Sequence, residues 1–207
     1  MSVLDLRPLP VTRDPARRLP QLLLGLVLYG LSMAMQLRAT LGLNPWDVLH
    51  DGLTEQTPLG FGTVVAVTGV AVLLLWIPLR QRPGVGTVAN VVVIAVSVDV
   101  ALAVLPPPAA LAPRVALMVG GIVLNGVASA AYIGARLGPG PRDGLMTGLA
   151  ARTGWSLRLV RTGLEVAVLG TGWVLGGTVG VGTALYALTI GPLTQAFLPL
   201  FAVRGRA

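Results

Sequence analysis

Residues 41–53 read LGLNPWDVLHDGL, and 96 positions later residues 137–149 read LGPGPRDGLMTGL. Leu, Gly, Pro and Asp return in register, while Trp46 becomes Arg142 and Asp51 becomes Thr147. In the first copy Asn44-Pro45 predicts a helix start, with Asn as the cap and Pro where a missing N–H is harmless. Asp47 then falls in the first turn, near the positive end of the helix dipole. Gly140-Pro141 and Asp143 repeat the arrangement. Outward from this phrase, a shift of 96 aligns residues 25–102 with 121–198 without a gap. Roughly a third of the positions are identical, against about a tenth expected from so biased a composition, so a duplication is expected. Val70-Ala71-Val72-Leu73 matches Val166-Ala167-Val168-Leu169, and Gly84-Val85-Gly86-Thr87 matches Gly180-Val181-Gly182-Thr183.

The chain of 207 residues is 54% hydrophobic and 11% charged, where a soluble domain averages roughly 25% charged. It divides into six continuously apolar segments, about 19–37, 61–79, 87–105, 115–133, 159–175 and 181–201. Each approaches the ~20 residues that a helix needs to cross a bilayer, and β-barrel strands would alternate polar and apolar residues instead. The fifth is the weakest, with Glu165, Gly170 and Gly172 inside it and Gly176-Gly177 just after. The first run follows Arg7, Arg13, Arg17 and Arg18, is too long for a signal core and has no small-residue cleavage site, so an uncleaved span is expected. With no Cys, disulfides and thiolate chemistry are excluded.

The net charge of +7 comes from Arg alone and reads as orientation. The N-terminus, Arg80 and Arg82, Arg136 through Arg161, and Arg204 and Arg206 fall on one side, leaving Arg38 and Arg114 on the other. Both termini are therefore expected in the cytoplasm. Three spans per copy mean that the second copy enters from the opposite side. The predicted fold is all-α: a polytopic membrane protein of six transmembrane helices in two inverted three-helix repeats. The expected divisions are a cytoplasmic segment 1–18, repeats 19–106 and 107–203, and a tail 204–207.

Inverted repeats are a common plan of transporters, with a substrate site where the halves meet. That makes Asn44, Pro45, Asp47, Pro141 and Asp143 candidate substrate-binding residues on helices that re-enter the membrane. Against this stands an interfacial helix anchored by Trp46, with Trp46, Leu49 and Leu53 opposite Asp47, Asp51 and Glu55; of the two we favour the interfacial reading. Ionisable groups inside spans are costly, so Asp99 and Glu165 are candidate ion-coupling residues. Pairing of Asp99 with Arg38 or Arg114, and of Glu165 with Arg161 four residues before it, are the structural alternatives. Asn90 and Asn125 suit interhelical hydrogen bonds, and the two Gly-Val-Gly-Thr segments suit close helix approach. The basic stretch 134–158 suits contact with anionic lipid or a solvated loop.

No nucleotide-binding or hydrolase motif occurs, and His50 is the single His. No enzyme activity, cofactor or metal is expected. The phrases LGLNPWDVLHDGL, GPGPRDGLMTGLAARTG, RLVRTGLEVAVLG and GGTVGVGTALYALTIGPL resemble the bacterial YczE-like integral membrane proteins, related more loosely to the YitT group. Where such relatives often read Gly-Pro-Trp-Asp, this chain has Asn44-Pro45-Trp46-Asp47. The resemblance implies a multi-spanning bacterial plasma-membrane protein and supplies no catalytic residues. The leading functional expectation is a small-molecule permease or exporter. The alternative is a scaffold that docks a partner through Arg152, Arg158 and Arg161. Expected partners are membrane lipids and a small-molecule substrate, with a homodimer or membrane partner left open and no nucleic acid.

Overall fold

The computed structural model describes residues 6–203, which form eight α-helices. They are α1 (Pro15–Ala39), α2 (Pro45–Glu55), α3 (Phe61–Leu79), α4 (Val85–Val104), α5 (Leu111–Gly134), α6 (Pro141–Thr153), α7 (Leu157–Val174) and α8 (Val181–Phe201). Arg204 and Arg206 lie outside the described residues. The first residues of α5, α6, α7 and α8 fall 96 positions after those of α1, α2, α3 and α4, so the duplication written in the sequence is a duplication of helices. The stretch expected to be a basic loop contains α6, and two of its cations are not surface groups. Arg136 is buried and donates to the carbonyl of Val203, and Arg142 turns inward.

Five helices, α1, α3, α4, α5 and α8, are long and apolar enough to cross a membrane. The fifth expected span forms α7, but Arg158, Arg161 and Glu165 keep it from being comparably apolar. Exposed Val88, Val92, Val96 and Val100 make an outward apolar stripe along α4. A soluble helix would turn such a stripe inward; here it is the surface that hydrocarbon tails cover.

The centre is the pair α1 and α5. Gly25 on α1 lies against Ala128, Ala131 and Tyr132, while Gly121 on α5 lies against Ser32 and Gln36. Residue numbers climb on one helix as they fall on the other, so these equivalent helices run antiparallel. Outside them, Gly30 admits α4 at Ile94 and Val98, and its counterpart Gly126 admits α8 at Leu193. The Gly-Val-Gly-Thr segments do bring chains close. Gly86 N–H donates to Leu137 O at 2.9 Å, and Gly182 N–H donates to Leu41 O at 2.7 Å.

The carbonyls left free where α1 and α5 end are capped reciprocally. Arg18 donates to Ala135 O and Arg136 O at 2.8 and 2.9 Å. Arg114, its counterpart 96 residues on, donates to Ala39 O and Thr40 O at 2.9 and 3.1 Å. Lipid offers such carbonyls no substitute donor. Arg114→Ala is therefore expected to destabilise the protein by about 1–2 kcal/mol, the scale of charge-assisted hydrogen bonds. Equilibrium unfolding in mixed micelles measures this, and Arg114→Lys should recover only part of the loss, because it lacks the guanidinium fork.

One pair of equivalent contacts is not equivalent. α3 packs along α4, whereas α7 and α8 barely touch. α7 is instead held by α2, as α3 is held by α6.

Candidate functional site

The two copies of the opening phrase meet. α2 and α6 each begin at a proline preceded by an extended residue, and both helix starts turn into the bundle. Arg142 Nη2 lies 3.5 Å from Asp47 Oδ1, and its guanidinium stands 4.9 Å above the ring of Trp46. Trp46 and Arg142 are counterparts 96 residues apart, so the contact joins the same point of both repeats. Trp46, Asp47, Val48 and His50 are all buried, so this face of α2 packs on protein and Trp46 does not stand out as a surface anchor. The arginine that replaces Trp46 in the second copy reports more than sidedness, because it is the partner of the first copy's aspartate.

Asp47 is 1% exposed and saturated. Its Oδ2 accepts from Asn44 Nδ2, and His50 Nδ1 lies 3.2 Å from its Oδ1. Asn44 Oδ1 in turn accepts from the N–H groups of Trp46 and Asp47, both at 3.1 Å, which is the N-cap expected from Asn44-Pro45. Asp143 differs. It is exposed, it faces a cavity, and Tyr132 OH donates to its Oδ2 at 3.0 Å. No side chain caps the start of α6.

The cavity, of about 320 Å³, lies between the halves and is reached by all eight helices. That volume falls at the small end of ligand pockets. Asn44, Pro45, Pro141 and Asp143 line it, as do Arg142, Arg161 and Glu165. Asp47 sits just behind the wall through its contact with Arg142. The chain has three tyrosines, and all of them, Tyr29, Tyr132 and Tyr186, face this space. The apolar part of the wall includes Val72, Val91, Ile94 and Ile190.

The structure separates the two ionisable residues singled out in the spans. Glu165 is at the cavity and accepts from Arg161 Nε at 2.9 Å, the pair expected from their spacing. Asp99 is elsewhere: its Oδ1 accepts from Gly62 N–H at 2.8 Å, so a residue of α4 caps the start of α3, where Gly60 has no side chain to do so. Arg38 donates to the carbonyl of Leu102 and Arg114 to Ala39 and Thr40, which are not the Asp99 pairings anticipated. Asn125 makes the interhelical bonds expected of it, donating to Ser32 Oγ at 2.8 Å and accepting from Tyr186 OH at 2.9 Å. Asn90 lines the cavity. Sequence reasoning missed the tyrosines and Arg142. Their signal was present: the few strongly polar side chains that interrupt apolar spans converge, and Arg142 is the one arginine standing at a helix start of the repeated phrase.

The sequence matches DUF6198, a family of unknown function, over residues 16–199. An uncharacterized protein of Haemophilus influenzae is 40% identical over 181 residues, 87% of this chain and 83% of that relative. The uncharacterized membrane protein YczE of Bacillus subtilis is 33% identical over 172 residues, covering 83% of this chain and 80% of that one. No solved structure matches. The apolar outer surface and these likenesses, over four fifths or more of each chain, agree that the chain is an integral, multi-pass membrane protein. It belongs to the DUF6198 family and is YczE-like.

Proposed function

We propose that this protein is a small-molecule permease or exporter of the bacterial plasma membrane, built from two inverted repeats and working by alternating access. The observation that carries the reading is the asymmetry around the cavity: one pair of equivalent helices, α3 and α4, is closed, and the other, α7 and α8, is parted. Antiparallel α1 and α5 support inversion, since equivalent helices of inverted halves must cross in opposite directions. The arginine distribution supports cytoplasmic termini and puts the starts of α6 and α7 on the cytoplasmic side. In that frame the cavity, with Asp143, Arg161 and Glu165, faces inward. Exchanging the conformations of the halves closes α7 on α8, parts α3 from α4 and opens the same centre outward. Pro192, inside α8 and next to the cavity-lining Gly191, gives that helix a place to bend, because proline leaves one carbonyl without its intrahelical donor.

The docking alternative is less well supported. Arg161 is engaged at the cavity and Arg152 donates to the carbonyl of Pro78 at 2.6 Å, so a docking face would rest mainly on Arg158.

The chain's lack of cysteine allows a direct test. Gly69 packs on the side chain of Val91 across α3 and α4, and their counterparts are Glu165 and Ala187. The pair Gly69→Cys/Val91→Cys is expected to cross-link readily, and Glu165→Cys/Ala187→Cys to cross-link in a minor, exchanging fraction that accumulates with time in membranes. Quantitative cross-linking of the first pair with none of the second, in folded protein, would sink alternating access.

A further inference from the structure

The two helix starts differ in one respect that the duplication makes interpretable. Asn44 and Gly140 are counterparts, with nearly the same backbone: φ −65° and ψ 158° for Asn44, φ −63° and ψ 159° for Gly140. Any residue adopts that conformation, so glycine at 140 is not demanded by the chain path. Its effect is to omit the carboxamide that caps the first half, and a Cβ in its place would press on polar side chains beside the cavity. In α2 that carboxamide accepts two first-turn N–H groups through its oxygen and donates through its nitrogen to Asp47. In α6 the matching N–H groups of Arg142 and Asp143 meet no side-chain cap, the Asp143 carboxylate holds Tyr132 OH in place of a carboxamide, and the helix start is part of the cavity. A Cβ placed on Gly140 would point toward Asp143 Oδ2 at 3.2 Å, Tyr132 OH at 3.3 Å and Asn90 Nδ2 at 3.6 Å. These groups are polar, and the first two belong to the cavity's own hydrogen bond. At the same junction the buried indole N–H of Trp46, a cavity-lining residue, has no hydrogen-bond partner among the described residues. Buried donors are rarely left so in a completed site.

We infer that the cavity binds a small molecule whose head group sets an acceptor oxygen beside an N–H donor, as a primary carboxamide or a zwitterionic α-amino acid does. The oxygen takes the place of Asn44 Oδ1 at the start of α6, and the nitrogen donates to Asp143. Of the charged groups in the lining, Arg142 is matched to Asp47 and Arg161 to Glu165, which leaves the Asp143 carboxylate as the group that receives the donor end of the head group. The apolar wall of Val72, Val91, Ile94 and Ile190 accommodates a short aliphatic tail. Asn44 is thus a built-in image of the ligand.

The inference rests on the cavity being a ligand site, and a matched set of five-carbon probes tests it on full-length protein in nanodiscs by saturation-transfer NMR and titration. Pentanamide and norvaline carry both functions; pentanoate carries only the acceptor and pentylamine only the donor. At least one two-function probe is expected to bind tenfold or more tightly than both single-function probes, and which one binds separates amide from amino acid. Gly140→Asn supplies the missing cap from within. It is expected to weaken that binding at least tenfold in protein that remains folded. Gly140→Ser, with a shorter capping side chain, should do the same to a lesser degree and serves if the Asn variant fails to fold. Equal binding of the single-function probes, binding unchanged in both Gly140 variants, or no binding of any probe would overturn the ligand class. If the Glu165→Cys/Ala187→Cys pair still cross-links in that case, alternating access survives and only the ligand assignment fails.

Discussion

Gly172→Ala is expected to destabilise the protein by about 3 kcal/mol, at the upper end of what one inserted methyl costs in a packed interior. A Cβ on Gly172 would run into the backbone of Val48 and Leu49, and Gly177 faces Val48 O in the same way. Backbone cannot rotate aside as the end of a long side chain can, so α2 and α7 must separate. α7 depends on that contact, for it barely meets α8 and of its residues only Val160 and Gly172 are buried. Gly163→Ala and Gly170→Ala, on the same helix with nothing within 4 Å of the added carbon, are the controls. They should be neutral or stabilising by up to about 1 kcal/mol, because alanine favours helix over glycine. Equilibrium unfolding in mixed micelles compares the three; equal effects would mean that α7 does not rest on α2.

The same glycine shows what was legible in the sequence. Apolar run lengths located five helices long and apolar enough to cross a membrane, and the shift of 96 residues anticipated where four later helices start, because both are written along the chain itself. The glycines of the fifth span read as a weakness of helix, whereas in space they are the seat of α2. The counterpart of Gly172 is Trp76, which packs over Gly144 and donates from its indole N–H to Pro141 O at 3.0 Å. One repeat puts the bulk on the span and the other removes it, a complementation visible only once α2 is known to meet α7 and α6 to meet α3. The partner of Asp99 was not legible for a related reason: it is a backbone N–H 37 positions away, and backbone groups leave no mark in a sequence. Asp47 and Asp143 were found because they repeat. Their unequal roles were not, since these depend on Asn44 and Arg142, two of the positions at which the copies differ.

Arg142 is where that break has its largest consequence. Arg142→Gln is expected to cost about 3 kcal/mol, within the range for removing one partner of a buried ion pair, since it leaves the enclosed Asp47 carboxylate with only Asn44 and His50 beside it. Arg142→Lys should be intermediate: it keeps a positive charge but loses the planar face over Trp46. Asp47→Asn alone should also destabilise, because Asn44 then faces an amide and Arg142 lacks its counter-ion. Combined with Arg142→Gln it should recover at least half of the loss, because the buried charge disappears with its partner. Non-additivity of that kind is the signature of direct coupling; additive losses would place Arg142 outside the Asp47 network. The cross-linking pair supplies a readout that fold stability alone does not move. Asp47 and Asp143 occupy matching places in the two halves, and Arg142 stands between them, tied in this conformation to the first. With that tie removed, the balance between the two conformations should shift, so the rate of Glu165→Cys/Ala187→Cys cross-linking should change severalfold in Arg142→Gln. An unchanged rate, in protein that remains folded, would confine Arg142 to holding the helix starts together.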